Sequence, residues 1–255
     1  MDYKKNIQKA GAVLIALAFW QILSMVINQR ILLVSPIEVV IRMCTIWKEQ
    51  GFLASIWFTF YHITAGFLSG VTLGIIFAVL ASKFNIVENL LWPWMITIKS
   101  VPVASFIVIC LIWLSVQKLS IFISFLIVLP VVYQNVLEGL KTQDVKMKEM
   151  ADVFKLPWYK NLKYIIIPKL RPFIISALSV TCGMAWKAGV AAEIIGVPEG
   201  SIGKMLHNAK IYLATDDLLA WTVIIVILSV LSEKIFMFIV KKLLGDNAKN
   251  RNNIK

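Results

Sequence analysis

Two lysines stand out by position. Lys99 and Lys187 each lie inside a long apolar run. A charge at the centre of a bilayer costs about 2.5–3.5 kcal/mol on insertion scales, so such residues face a partner or a watery cavity. Two cations lining one cavity would attract an anion. Pairing of Lys187 with Glu193 is the structural alternative, but a spacing of six residues puts the two on different helix faces. Pro102 shares a run with Lys99, and Trp186 precedes Lys187. These four residues, Lys99, Pro102, Trp186 and Lys187, are the candidates to line such a cavity. Little else in the chain suits covalent chemistry. His62 and His207 are isolated, and Cys44, Cys110 and Cys182 have no CxxC spacing, so no metal site or disulfide framework can be drawn. No Gly-rich phosphate loop is present, so ATP hydrolysis is not expected here and no cofactor is expected on this chain.

The elements that must position these residues are apolar and long. Hydrophobic residues make up 59% of the 255 and charged residues 16%, and mean hydropathy is +0.80. A soluble domain is about 45–50% apolar and about 25% charged, so a soluble enzyme and a disordered chain are both excluded. Six runs, at 10–28, 55–81, 90–114, 119–140, 172–192 and 218–240, each approach the ~20 residues a helix needs to cross a bilayer. The pattern is continuous rather than alternating, which disfavours a barrel. The first run follows Lys4, Lys5 and Lys9 but ends in Asn28-Gln29-Arg30 with no small-residue cleavage site, and reads as a retained span. The expected organisation is a cytoplasmic start at 1–9, a transmembrane domain at 10–240 with an inside loop at 141–171, and a disordered basic tail at 241–255.

The formal charge of +12 reflects membrane loops rather than nucleic-acid binding. With both termini cytoplasmic, only Arg30, Arg42, Lys48, Lys118, Lys204 and Lys210 fall outside, and the other loop and tail cations fall inside. Ser35-Pro36 opens a short outside helix. Residues 193–217 form a second outside segment broken by Gly196, Pro198, Gly200 and Gly203, with Glu193 and Glu199 as exposed loop charges. Gly66, Gly70 and Gly74 recur every fourth residue and give one helix a smooth face for close packing. That face packs within the bundle or at a seam between two copies, with Ser69 and Thr72 as interhelical donors. Trp92, Trp94, Trp113 and Trp221 sit toward span ends as interfacial anchors, and Pro102 and Pro130 can kink their helices.

One inside loop, 141–171, is amphipathic. Met150, Val153, Phe154 and Leu156 alternate with charges at helical spacing, Pro157 breaks the pattern, and a second helical stretch from Trp158 is expected to end at Pro168. Such a helix–bend–helix could lie on anionic lipid. Its spacing, however, resembles the cytoplasmic signature of binding-protein-dependent ABC importer permeases: Glu-Ala-Ala, three residues, Gly, nine residues, Ile-x-Leu-Pro. Glu149, Ala151, Ile165 and Pro168 match in register. Met150, Lys155 and Ile167 replace Ala, Gly and Leu, so the bend is expected to rest on Pro157. Ala65-Gly66-Phe67, Ser100-Val101-Pro102, Ala185-Trp186-Lys187-Ala188 and Ala192-Glu193 extend the likeness to the nitrate, sulfonate and taurine group.

The resemblance implies an all-α integral membrane fold of six transmembrane helices with a cytoplasmic coupling helix, as in type I ABC importers. It implies a non-enzymatic permease subunit in the cytoplasmic membrane, moving a small solute by alternating access. Its partners would be an ATPase carrying ATP and Mg, a second permease copy, an extracytoplasmic solute-binding protein and lipid. Glu149, Met150, Ala151, Phe154, Lys155, Leu156, Pro157, Ile165 and Pro168 would form the ATPase-coupling element. By this resemblance the cargo would be a small anion such as nitrate or a sulfonate, or taurine, or a vitamin precursor. A proton-driven carrier is the rival, but it needs an acidic relay at midspan, and the runs hold none.

Overall fold

The computed structural model describes residues 2–29, 31–142, 147, 150, 151 and 153–243. Its elements are α1 (Asp2–Ile27), α2 (Pro36–Ile46), α3 (Phe52–Lys83), α4 (Asn85–Ser100), α5 (Val103–Cys110), α6 (Val116–Lys141), α7 (Trp158–Asn161), a π-helical turn (Leu162–Ile166), α8 (Ile167–Gly196), α9 (Ile202–Ile211) and α10 (Thr215–Leu243). No strand occurs among the described residues. The expected tail at 241–255 lies outside them from residue 244 onward, and 241–243 continue α10.

The core is a sandwich of α3, α6 and α8, with α10 laid against α8 and α9, and α2 against α10. Close approach of α3 to α6 follows from the glycine face. A Cβ placed on Gly66 would lie 2.3 Å from the Ile121 carbonyl oxygen, on Gly70 2.9 Å from that of Phe125, and on Gly74 3.0 Å from Val132 Cβ. That face of α3 is filled by α6 of the same chain. Ser69 and Thr72 do not reach across: their hydroxyls donate to the Gly66 and Leu68 carbonyls of their own helix.

Several spans differ from the sequence expectation. Among the described residues four helices are long and apolar enough to cross a membrane: Phe52–Lys83, Val116–Lys141, Trp158–Gly196 and Thr215–Lys242. The apolar part of α1, Gly11–Ile27, is shorter. The run at 90–114 is no single rod, since α4 and α5 meet at 105°. The cause is local. Pro102 has no N–H to continue the ladder and drives the residue before it into extended backbone, and Val101 sits at φ −73°, ψ 131°. Among the described residues, the six apolar runs thus correspond to four helices of spanning length, one bent pair and the shorter apolar helix in α1.

The start of α8 also differs. Pro168 does not end the preceding helix; it sits in the first turn of α8, and helix runs on from Trp158 to Gly196. The π-helical turn just before it accommodates the ring. There the Ile167 N–H reaches back five residues to the Leu162 carbonyl, which moves the bonding register at the point where a proline would otherwise clash. Trp221, expected at an interface, is buried with its ring 5.2 Å from that of Phe52, whereas Trp92, Trp94 and Trp113 are exposed.

Candidate coupling and translocation site

The bend at 150–158 is built from backbone hydrogen bonds. Residues 150, 151 and 153 are helical, and the Phe154 N–H closes on the Met150 carbonyl at 3.0 Å. The Leu156 N–H then reaches the Ala151 carbonyl at 3.0 Å, five residues back, while Lys155 takes φ +45°. This is a Schellman ending, in which the left-handed position is usually glycine. The bend was expected to rest on Pro157, and here the structure differs: Lys155 itself turns the chain, and Pro157 follows as the residue that cannot resume the helix. A side chain in this conformation costs roughly 1–2 kcal/mol. Lys155→Gly is therefore expected to slow amide exchange across 150–157, and Lys155→Val to speed it. Hydrogen-exchange mass spectrometry reads both, and equal rates in the two variants would contradict this origin of the bend.

The element carries an apolar surface outward. Val153, Phe154 and Trp158 are each 72–78% exposed, and Met150 is partly so, while Ala151 is buried. Glu149 lies outside the described residues. Behind the bend, Gly139, Leu140, Met147, Tyr164, Ile165 and Pro168 help line a cavity of about 380 Å³. The Lys169 ammonium donates to the Thr142 carbonyl at 2.6 Å and so ties the start of α8 to the end of α6. Movement of the bend is thus connected to two core helices.

The pathway candidates do not share one environment. Lys99, on α4, is exposed and donates to Gln134 of α6. Lys141 and Glu88 pair nearby and pin α4 to α6 a second time. Lys187 is exposed on the α8 face that includes Val180, Gly183 and Met184, and it makes no ion pair among the described residues. A Cβ on Gly183 would meet nothing within 4 Å, so this face is open. Pro102 is exposed at the α4–α5 bend. Trp186 differs: it is 2% exposed, its ring 6.3 Å from that of Phe60, so it packs in the core of the subunit. No group of three or more potential metal ligands occurs among the described residues.

Glu193 is the residue that sequence reasoning misplaced. It lies in the last turn of α8, fully buried, rather than in an exposed loop. It holds the start of α9. The first N–H groups of a helix have no partner within it. Here Ile202 N–H donates to Thr59 Oγ1 at 3.0 Å, Gly203 N–H to Glu193 Oε2 at 3.3 Å, and Lys204 N–H to Ser201 Oγ at 3.0 Å. Thr59 donates in turn to Glu193 Oε2 at 2.7 Å. The carboxylate also meets the positive end of the α9 dipole. Gly203, read as a loop breaker, lies inside α9 because a Cβ there would stand 2.2 Å from Glu193 Cβ.

The described residues thus form an all-helical bundle with a bent element at 150–158. Residues 70–249 match the binding-protein-dependent transport system inner membrane component family, and the chain belongs to it. It is a multi-pass permease of the ABC importer class. Among its relatives is the putative aliphatic sulfonates transport permease protein SsuC of Bacillus subtilis (strain 168), 24% identical over 90% of this chain and 84% of the relative. The taurine transport system permease protein TauC of Escherichia coli (strain K12) is 27% identical over 84% and 80%. The nitrate import permease protein NrtB of Synechococcus elongatus (strain ATCC 33912 / PCC 7942 / FACHB-805) is 25% identical over 76% and 73%.

Proposed function

We propose that this chain forms one half of the pathway of an ATP-driven importer for a small anion, paired with a second copy in the cytoplasmic membrane with both termini inside. A cytoplasmic ATPase seats on the element at 149–168, and an extracytoplasmic binding protein delivers the solute. ATPase closure moves the bend as a rigid lever, and the bundle exchanges access from one side to the other. The observation that carries this reading is the outward apolar surface of Val153, Phe154 and Trp158 on a turn fixed by Lys155. Exposed aromatic and aliphatic side chains on a short rigid element are what a partner's groove takes up as anchors. An anionic cargo is supported by the exposed Lys99 and Lys187 and by relatives named for sulfonate, taurine and nitrate transport.

The test is reconstitution of the chain with its cognate ATPase and binding protein in proteoliposomes. Phe154→Asp is expected to cut ATP-driven uptake at least tenfold, an effect of about 1.4 kcal/mol, and to reduce copurification of the ATPase, while the bundle keeps its thermal stability. Full uptake by this variant would remove the coupling role. Lys99→Gln combined with Lys187→Gln is expected to preserve ATPase association and lower uptake of sulfonate or nitrate. Unchanged anion uptake, or uptake confined to a neutral pyrimidine, would remove the anion reading.

A further inference from the structure

The helix α2 is amphipathic in an inverted sense. Its charged residues turn inward. Glu38 Oε2 accepts from the Ser35 N–H at 3.2 Å and from the Ser35 hydroxyl at 3.1 Å, in a capping box. Arg42 pairs with Asp217 at the start of α10 and with Glu49. Asp217 first, and Glu49 after it, hold that guanidinium firmly charged against the opposing effect of burial. Val39 and Ile46 are buried on the same inner side. The outer side is apolar. Ile37, Val40, Ile41 and Trp47 are each 58–61% exposed, and Cys44 between them is exposed too. The spacing 37, 40, 41, 44 is that of one helix face.

Polar atoms at the edge of this face are already satisfied from within. The Thr45 hydroxyl donates to the Arg42 carbonyl at 2.9 Å, and the Trp47 indole N–H to the Cys44 carbonyl at 2.7 Å. Among the described residues Lys48 borders it, with its ammonium 5.6 Å from the Trp47 ring centroid, and Glu49 beside it is taken up by Arg42. A protein partner would find no charge pattern to read on this face. The apolar surface is instead continuous with the next element. Gly51, at φ +86°, turns the chain into α3, whose first large exposed apolar side chains are Leu53, Trp57 and Tyr61 at four-residue intervals. That helix crosses the bilayer, so its outward side chains face lipid.

We infer that α2 lies flat in the membrane interface, with Ile37, Val40, Ile41, Cys44 and Trp47 inserted among lipid acyl chains. The capping box and the Arg42 pairs hold it at that angle. Trp47 sits at interface level, as tryptophans do at membrane–water boundaries, and Lys48 extends its stem toward headgroups. The helix thereby anchors the end of the bundle where α3 and α10 begin, against which their other ends can move.

Cys44 makes the proposal measurable. A nitroxide attached there, in full-length protein reconstituted in phosphatidylcholine–phosphatidylglycerol vesicles, is expected to collide with oxygen and to be shielded from a water-soluble nickel chelate. The expected depth is about 5–10 Å below the headgroup boundary. The reference is a label at Glu199→Cys in a Cys44→Ser background, since Glu199 is largely exposed and in a loop. Nickel accessibility at Cys44 equal to that reference would overturn the proposal. So would shielding that arises only when the solute-binding protein is added, which would make the face a docking site. Strong dipolar broadening between labels would overturn it as well, by seating a second copy there.

Discussion

Gly66→Ala is expected to lose more stability than any other single-methyl addition along the glycine face of α3. The added Cβ would lie 2.3 Å from a backbone carbonyl oxygen of α6 and 2.8 Å from Ser124 Cβ. A backbone atom cannot rotate away, so the two helices must separate. Overpacking of this kind costs about 1–3 kcal/mol or more, and separation also weakens the packing that holds membrane helices together without a hydrophobic drive. Gly70→Ala meets the Phe125 carbonyl at 2.9 Å and Gly74→Ala meets Val132 Cβ at 3.0 Å. The loss of melting temperature in detergent should therefore fall in the order Gly66, Gly70, Gly74. Uptake should follow the same order, because α6 leads toward the proposed coupling element. Equal shifts for the three variants would mean that α3 and α6 do not approach this closely in the membrane.

What sequence reveals of this fold is what depends on neighbours along the chain. Ser35, Pro36 and Glu38 announce the start of α2 because cap, proline and returning carboxylate are local chemistry. The four-residue glycine spacing marks a close-packing face because helix periodicity alone puts those residues together. The bend at Val101–Pro102 was half legible. The proline was visible, but the 105° turn depends on where α5 packs, against α8 and α6. The Lys155 turn was misjudged because a left-handed non-glycine residue is held by bonds on both sides of it, not by its own preference.

The same reasoning explains why the run at 90–114 was drawn as one simple span. Hydropathy reads apolar length, and a bent pair such as α4–α5 has the same apolar length as a rod. A buried carboxylate ends a hydropathy window just as a loop charge does. Glu193 was therefore assigned to water, although its partners are Thr59, far off in the chain on α3, and Gly203, across a turn on α9. Trp221 was assigned to an interface for the same reason: proximity to a span end says nothing of Phe52, which covers it.

The Glu193 cluster carries the second large expected effect. Glu193→Ala removes the acceptor for Gly203 N–H and for Thr59 Oγ1 together, at a site with no exposure to water. A buried donor left without a partner costs about 1–3 kcal/mol, and the cavity left by the truncated side chain adds to it. Thr59→Val leaves Ile202 N–H unpaired and costs about as much as one such donor. Because the two side chains serve one helix start, the double variant should lose less than the sum of the single losses. Thermal unfolding of the two single variants and the double variant in one detergent measures this coupling. Strict additivity would show that Thr59 and Glu193 act independently, and that α9 is held by its apolar face at Ile202, Leu206 and Ala209 rather than by its first turn. If the coupling is present, release of α9 should also speed amide exchange in 202–206 in Glu193→Ala well before the core helices α3, α6 and α8 exchange, because the cluster is where three elements of the bundle meet.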